Sequence, residues 1–272
     1  MPMNLSAVLL AVMVGSTPAD TADYSRYVVI VTVSDHRPGT GFDAPAGLIE
    51  RARAQLNRTL HDRDRTVGDF LAVHDRPARR LGRMTLEHRR GDVRFTSDGT
   101  TEADFEFPLT GAVMEQLLPV PGPKRLLGRV ACPCCGREWP DEQPVPNGLE
   151  LVPLELTEVA NFTGVLVDVR GLDYQAALFP RIIIPSGDEV YGPAFADKDT
   201  VITRGIVGYY KDRNEALQDG RTGSNPLIIR ALAVEGPNRC DVKVTDRDAA
   251  LVHGSQRNLD HLTRCRVGLL VD

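Results

Sequence analysis

Between residues 119 and 150 the chain carries seven prolines and four glycines. Proline lacks a backbone donor and holds φ fixed, so neither a long helix nor a central strand can run through such a stretch. The segment therefore divides the sequence. It reads as a linker or an ornamented loop, with roughly a hundred residues on either side, enough for one small domain each.

Both flanks mix strand and helix patterns. Tyr27 to Val33 is rich in β-branched residues and predicts a strand. Asp43 stands at an N-cap position with Pro45 in the first turn, and Leu48, Ala52, Leu56 and Leu60 follow at helical spacing. Val93 and Phe95 lead into Thr96-Ser97-Asp98-Gly99, whose Asp-Gly pair suits a tight turn. On the return, Ala103, Phe105, Phe107 and Leu109 alternate with Glu102, Asp104 and Glu106, which predicts one buried and one wet face. Gly111 to Leu118 is a short apolar helix that Pro119 stops.

Beyond the divide, Gly164 to Val169 predicts a strand, and Arg181 to Ile184 and Glu189 to Tyr191 flank a Ser186-Gly187-Asp188 turn. Leu227 to Val234 and Asp241 to Thr245 are further strands. Asp246 caps a short helix reaching His253, and Arg266 to Val271 is a closing strand. The expected class is α+β: two small mixed α/β domains with antiparallel sheets, joined by the Pro/Gly/Cys-rich segment. The expected parts are a signal peptide at 1–22, a small α/β module at 23–118, the insert at 119–150 and a second α+β domain at 151–272.

Charge narrows the partners. The formal net charge of −5 argues against nucleic acid. Arginine outnumbers lysine 28 to 4, a bias of genome composition. Seven arginines (Arg76, Arg79, Arg80, Arg83, Arg89, Arg90, Arg94) crowd one stretch. They form either a patch for an anionic partner or, as is commoner, a solvated face. Leu5 to Val14 is nearly free of polar residues but falls short of the ~20 residues a membrane span needs. It has the length of a signal-peptide core, and Thr17-Pro18-Ala19 offers small residues for cleavage, although no basic residue precedes Arg26. Export is the expectation, with no transmembrane span.

Residues 131–140, ACPCCGREWP, place Cys132, Cys134 and Cys135 beside the only tryptophan. Cys132 and Cys135 have the spacing of a zinc knuckle, but tetrahedral zinc takes four ligands, and no second Cys-x-x-Cys follows. Cys134 is a third candidate ligand. A redox pair would need a helix start after a strand, and Pro140 arrives too early. The alternative is structural thiols or a disulfide, for which Cys240 and Cys265, each at the start of a predicted strand, form a candidate pair. The cofactor expectation is none, or a structural zinc. Glycine-rich nucleotide loops and the Gly-x-Ser-x-Gly elbow are absent from the sequence. The six histidines show no i, i+4 pair. Asp168 and Arg170 flank Val169 on a predicted strand, so both point to one face, as an ion pair or, less often, as a catalytic pair.

Residues 162–192, FTGVLVDVRGLDYQAALFPRIIIPSGDEVYG, resemble a segment of the bacterial LPP-twenty surface-lipoprotein family, which has flagellar accessory proteins among its relatives. Asp168, Arg170, Gly171, Leu172, Pro180, Arg181, Ile182, Gly187, Val190, Tyr191 and Gly192 carry the likeness. Gly205, Gly208, Tyr209, Gly223, Ser224, Asn225, Pro226 and Leu227 extend it. Val169 departs from the family's alanine, no lipid-anchor cysteine follows the apolar run, and the cysteine insert is foreign to the pattern. The resemblance implies no enzyme activity. It implies an exported bacterial protein of the periplasm or outer membrane, working through other envelope proteins or through itself as a homo-oligomer. The alternatives are a periplasmic binding or zinc-stabilised module, and an enzyme with its site near Asp168 and Arg170.

Overall fold

The computed structural model describes residues 20–35, 46–140, 143–154 and 162–272. The first unit runs β1 (Thr21–Asp23), β2 (Val28–Asp35), α1 (Leu48–Arg58), α2 (Val67–Val73), α3 (Asp75–Arg83), β3 (Arg89–Phe95), β4 (Thr101–Pro108) and α4 (Ala112–Leu117). The middle segment contributes β5 (Val130–Ala131) and β6 (Val152–Pro153). The second unit follows with β7 (Val165–Asp168), β8 (Ile182–Ile183), β9 (Glu189–Tyr191), α5 (Lys198–Arg204), β10 (Gly208–Tyr210), α6 (Arg213–Gln218) and β11 (Leu227–Arg230). It closes with β12 (Ala233–Glu235), β13 (Asp241–Lys243), α7 (Asp246–Val252), α8 (Gln256–Thr263) and β14 (Val267–Leu270).

In the first unit the sheet order is β1-β2-β4-β3, antiparallel throughout. Register sets Val29 opposite Phe107, Val31 opposite Phe105 and Val33 opposite Ala103, so one face is apolar. Leu48, Ala52 and Leu56 of α1 are buried with it. The other face is polar: the Thr32 hydroxyl donates to Asp104 (2.7 Å), and Glu106 is held by Arg26 and Arg89 at 2.6 Å each. The turn is as the sequence predicts, with Thr96 N–H donating to the Thr100 carbonyl (2.9 Å).

The second unit contains a parallel sheet, β10-β14-β7-β11, and a mixed one, β12-β13-β8-β9. The α+β class holds, while the first of these sheets departs from the expected antiparallel pairing. Its central strands are buried on both faces, and a continuous apolar run does not reveal strand direction.

The two units share one continuous apolar core. The chain crosses between them in several places: Gly111 N–H donates to the Ile202 carbonyl (2.7 Å), Leu178 to Leu60 (2.9 Å) and Phe179 to His61 (2.9 Å). Tyr27 reaches from β2's entrance to donate to the Val207 carbonyl (2.9 Å). The dividing segment is docked along part of its length. Leu127 N–H donates to His253 Nδ1 (2.9 Å), and Arg125 pairs with Asp188 (3.2 Å).

Several boundaries move. Residues 21 and 22 of the expected leader lie in β1, where pairing with β2 and an Asp20–Arg51 ion pair hold them. The Asp43 cap and Pro45 lie outside the described residues, and α1 starts after Gly47. Leu60 falls beyond α1, in a bridge to Thr66. The expected strand over 227–234 is two strands in different sheets, β11 and β12. Thr245, not Asp246, caps α7, its side chain accepting from Asp248 N–H. No described helix is long and apolar enough to cross a membrane.

Candidate functional site

The carboxyl end of a parallel sheet is where α/β folds usually gather ligands. Here that end carries Asp168 on β7 and Arg230 on β11, which lie opposite each other in register. Arg170 donates to both Asp168 oxygens (Nε 2.9 Å, Nη2 2.8 Å), and Arg230 Nη1 stands 3.1 Å from the same carboxylate. Arg170, then burial acting against it, then Arg230 bring the carboxyl down to about 2. Asp168 therefore stays ionised at neutral pH and is poorly suited to general acid or base work. Gly171 N–H donates to Asp272 (2.9 Å), which fastens the chain's last residue to the same end.

The other residues of the resemblance brace the fold. Arg181 holds the fully buried Asp241 in a two-point pair (Nη2 2.5 Å, Nε 3.0 Å), linking β8's start to β13. Burial pushes the Asp241 carboxyl up, and Arg181 opposes it. Tyr191 is buried and donates to the Ile206 carbonyl (2.6 Å). Gly192 leaves room for Glu189 and Arg181, since a Cβ there would sit 2.8 Å from a Glu189 oxygen. Pro180 lies buried before β8. Thr163 N–H donates to the Asn225 carbonyl (3.0 Å), with Pro226 next in the turn that leads into β11.

The three clustered cysteines sit at the tip of a small hairpin. Its stem is β5, a bridge from Ala131 to Glu138, and a two-point Arg129–Glu138 ion pair (2.5 and 2.6 Å). Cys132 N–H donates to the Arg137 carbonyl (2.9 Å), and Gly136 N–H donates back to the Cys132 carbonyl (2.8 Å). Gly136 has φ +69°, the left-handed conformation that such a knuckle demands. The amides of Cys134 and Cys135 aim at the Cys132 sulfur and lower its pKa. Cys134 and Cys135 are exposed and Cys132 is half-buried. Among the described residues no group of three His, Cys, Asp or Glu side chains converges as a metal site.

Cys240 and Cys265 do not form the expected pair. Both are free, buried thiols. Cys240 precedes β13 of the mixed sheet, and Cys265 precedes β14 of the parallel one. Strand starts were readable in the sequence, but their sheets were not. Burial pushes both thiols up, away from the reactive thiolate form.

A buried polar cluster at the junction of the units escaped sequence reasoning. His61 is fully buried, stacked on Phe70 (4.2 Å between centroids) and tilted against Phe179 (4.9 Å). Its Nδ1 meets Asp62 (2.9 Å) and its Nε2 the Leu117 carbonyl (2.7 Å). With both nitrogens occupied, the ring fastens α4's end to the loop after α1. Nearby, an open cavity of about 370 Å³ is walled by Leu118, Val120, Phe179 and Ile206, with Glu115 and Lys198 in its lining.

Another open surface is a sheet edge. β3 is an outer strand of the first sheet, and all of its residues but Gly91 are exposed. Val93 (38% exposed) and Phe95 (83%) lie opposite Ala103 and Thr101 on the apolar side, beyond the helices' cover. The arginine-rich stretch falls on α3 and this edge. Arg89 and Arg94 are paired, with Glu106 and Asp104 respectively, and Arg79 stands 3.8 Å from Asp75. The patch is thus partly neutralised.

A parallel sheet flanked by a mixed sheet, closed by the chain's final strand, defines the second unit as an α+β domain. Residues 164–272 match the family model described as Treponema pallidum Tp0624, second domain. The match begins at the foot of β7 and runs to the last residue, which sets this unit off as a domain. None of the curated proteins matches the chain.

Proposed function

We propose that the chain is a non-enzymatic protein of the bacterial cell envelope that acts by assembling with other envelope proteins or with itself. The β3 edge carries this reading. An outer strand presents a row of backbone donors and acceptors without strand partners, and a second strand can add to it. Here the edge also exposes Val93 and Phe95, which would be covered by such an addition. The likeness of residues 162–192 to LPP-twenty surface lipoproteins and their flagellar accessory relatives supports an address in the periplasm or at the outer membrane. The apolar run Leu5 to Val14 supports export. The match to a Treponema pallidum domain family supports a bacterial setting.

The rival enzyme reading centres on Asp168 and Arg170, where Arg170 and Arg230 lower the Asp168 pKa and favour an ion pair over proton exchange. The test is native mass spectrometry with in-situ crosslinking on envelope fractions. The wild type is expected as a complex, and Val93→Lys with Phe95→Lys as a monomer of unchanged fold. A monomeric wild type, or a complex indifferent to both substitutions, would overturn the proposal.

A further inference from the structure

The knuckle has the spacing of half a metal site. Structural zinc is bound by four ligands in a tetrahedron, commonly thiolates in Cys-x-x-Cys pairs. Cys132 and Cys135 have that spacing, and the hairpin already holds the turn that such a pair requires. Gly136 supplies the left-handed residue, and the Cys132–Arg137 and Gly136–Cys132 backbone bonds close the loop. Among the described residues no third ligand reaches it.

We propose that two copies of this chain join tip to tip, each giving Cys132 and Cys135 to one shared zinc ion. The contact is isologous: the same hairpin meets itself about a two-fold axis through the metal. Exposure favours it, since Pro133, Cys134, Cys135, Gly136 and Arg137 are all exposed and nothing else in the described fold stands over them. Charge favours it too. Four thiolates on Zn²⁺ leave a net charge of 2−, and Arg137 from each copy brings one positive charge beside the cluster. Arg129 and Glu138 already neutralise each other in the stem. Binding releases the four thiol protons, so uptake weakens in acid. Cys134 is left outside the metal's coordination. This inference goes beyond the assembly reading and stands apart from it, since it uses a different surface from β3.

The test uses the full chain carrying Phe95→Lys, so that edge pairing does not mask the result, reduced with a phosphine and titrated with Zn²⁺ or Co²⁺. Native mass spectrometry should show a dimer holding one metal ion per two chains, returned to monomers by a chelator. With Co²⁺ the absorption spectrum should show thiolate-to-metal charge transfer that saturates at half an equivalent per chain. Cys132→Ser and Cys135→Ser should each abolish metal uptake and dimer together, and Cys134→Ser should leave both intact. The tip lies outside the apolar core, so circular dichroism of all three variants should match the parent. One metal ion per monomer, a dimer that survives the chelator, uptake that persists in Cys135→Ser, or no uptake at all would each overturn the shared site. None of these outcomes touches the β3 reading, which stands or falls on complexes in the envelope fraction.

Discussion

The union of the two units turns on a close approach that a double-mutant cycle can measure. Gly205 ends α5 with φ +74° and ψ 164°, a conformation nearly confined to glycine. The Tyr27 ring lies directly on it. A Cβ at 205 would stand 2.6 Å from Tyr27 Cε1 and closer still to Cζ and Cε2. Gly205→Ala therefore meets two costs. Backbone strain is about 1–3 kcal/mol, and displacing a packed ring adds about 1–3 kcal/mol more. The sum is about 2–6 kcal/mol, a large share of an ordinary domain's stability. Tyr27→Ala alone should cost about 3–5 kcal/mol, as a buried aromatic does, and it also strips the Val207 carbonyl of its donor. In the Tyr27→Ala background only the backbone cost of Gly205→Ala remains. The two changes should thus couple by about 1–3 kcal/mol in urea unfolding followed by far-UV circular dichroism. A coupling below ~0.5 kcal/mol, the range of independent sites, would show that the ring does not rest on Gly205 and would undo this account of the junction.

Two further perturbations follow from buried groups. Arg221 is buried without a carboxylate and donates to the Arg204, Gly205 and Cys265 carbonyls, closing the C-terminal ends of α5 and α8. Arg221→Met should cost about 2–3 kcal/mol by chemical denaturation, since charged donors to carbonyls are worth that much; a neutral result would mean water serves those carbonyls equally well. His253 receives Leu127 N–H at Nδ1 and donates from Nε2 to the Val190 carbonyl (2.7 Å), so it is held neutral. Burial lowers its pKa to about 4 from an ordinary 6.5. Below pH 6.5 the unfolded chain takes up a proton that the folded chain refuses until pH falls to about 4. Stability should therefore decline across that window by up to about 3 kcal/mol and then level off, and His253→Gln should remove this part of the decline. A wild-type urea midpoint that stays level between pH 7 and 5 would refute the assignment.

Legibility in the sequence followed the range of the forces involved. The β3–β4 hairpin could be read because alternation and an Asp-Gly turn are local signals, and the structure keeps both. The first helix was legible from Leu48, Ala52 and Leu56, but its end was not, since Leu60 is drawn off into a bridge with Thr66. Helices α2, α3, α5, α6 and α8 are short, and much of what holds them lies elsewhere in the chain. Arg53, for example, donates from α1 to the Leu81 and Met84 carbonyls at the end of α3 (2.7 and 2.6 Å). The excess of arginine looked compositional. In the fold, Arg51, Arg53, Arg221 and Arg239 each reach a backbone carbonyl far away in sequence.

The chain by itself determined its α+β texture, the break at 119–150, the knuckle spacing of Cys132 and Cys135, and the side-by-side placement of Asp168 and Arg170. Each depends on residues near one another along the chain. Only the tertiary structure decided that β7 runs parallel to its neighbours, that Cys240 and Cys265 belong to different sheets, and that Arg230 joins Arg170 in holding Asp168 ionised. It alone decided that the two units share a core closed by Tyr27 on Gly205. Those outcomes depend on which apolar faces bury one another, and burial is a property of the whole packed chain rather than of any segment of it.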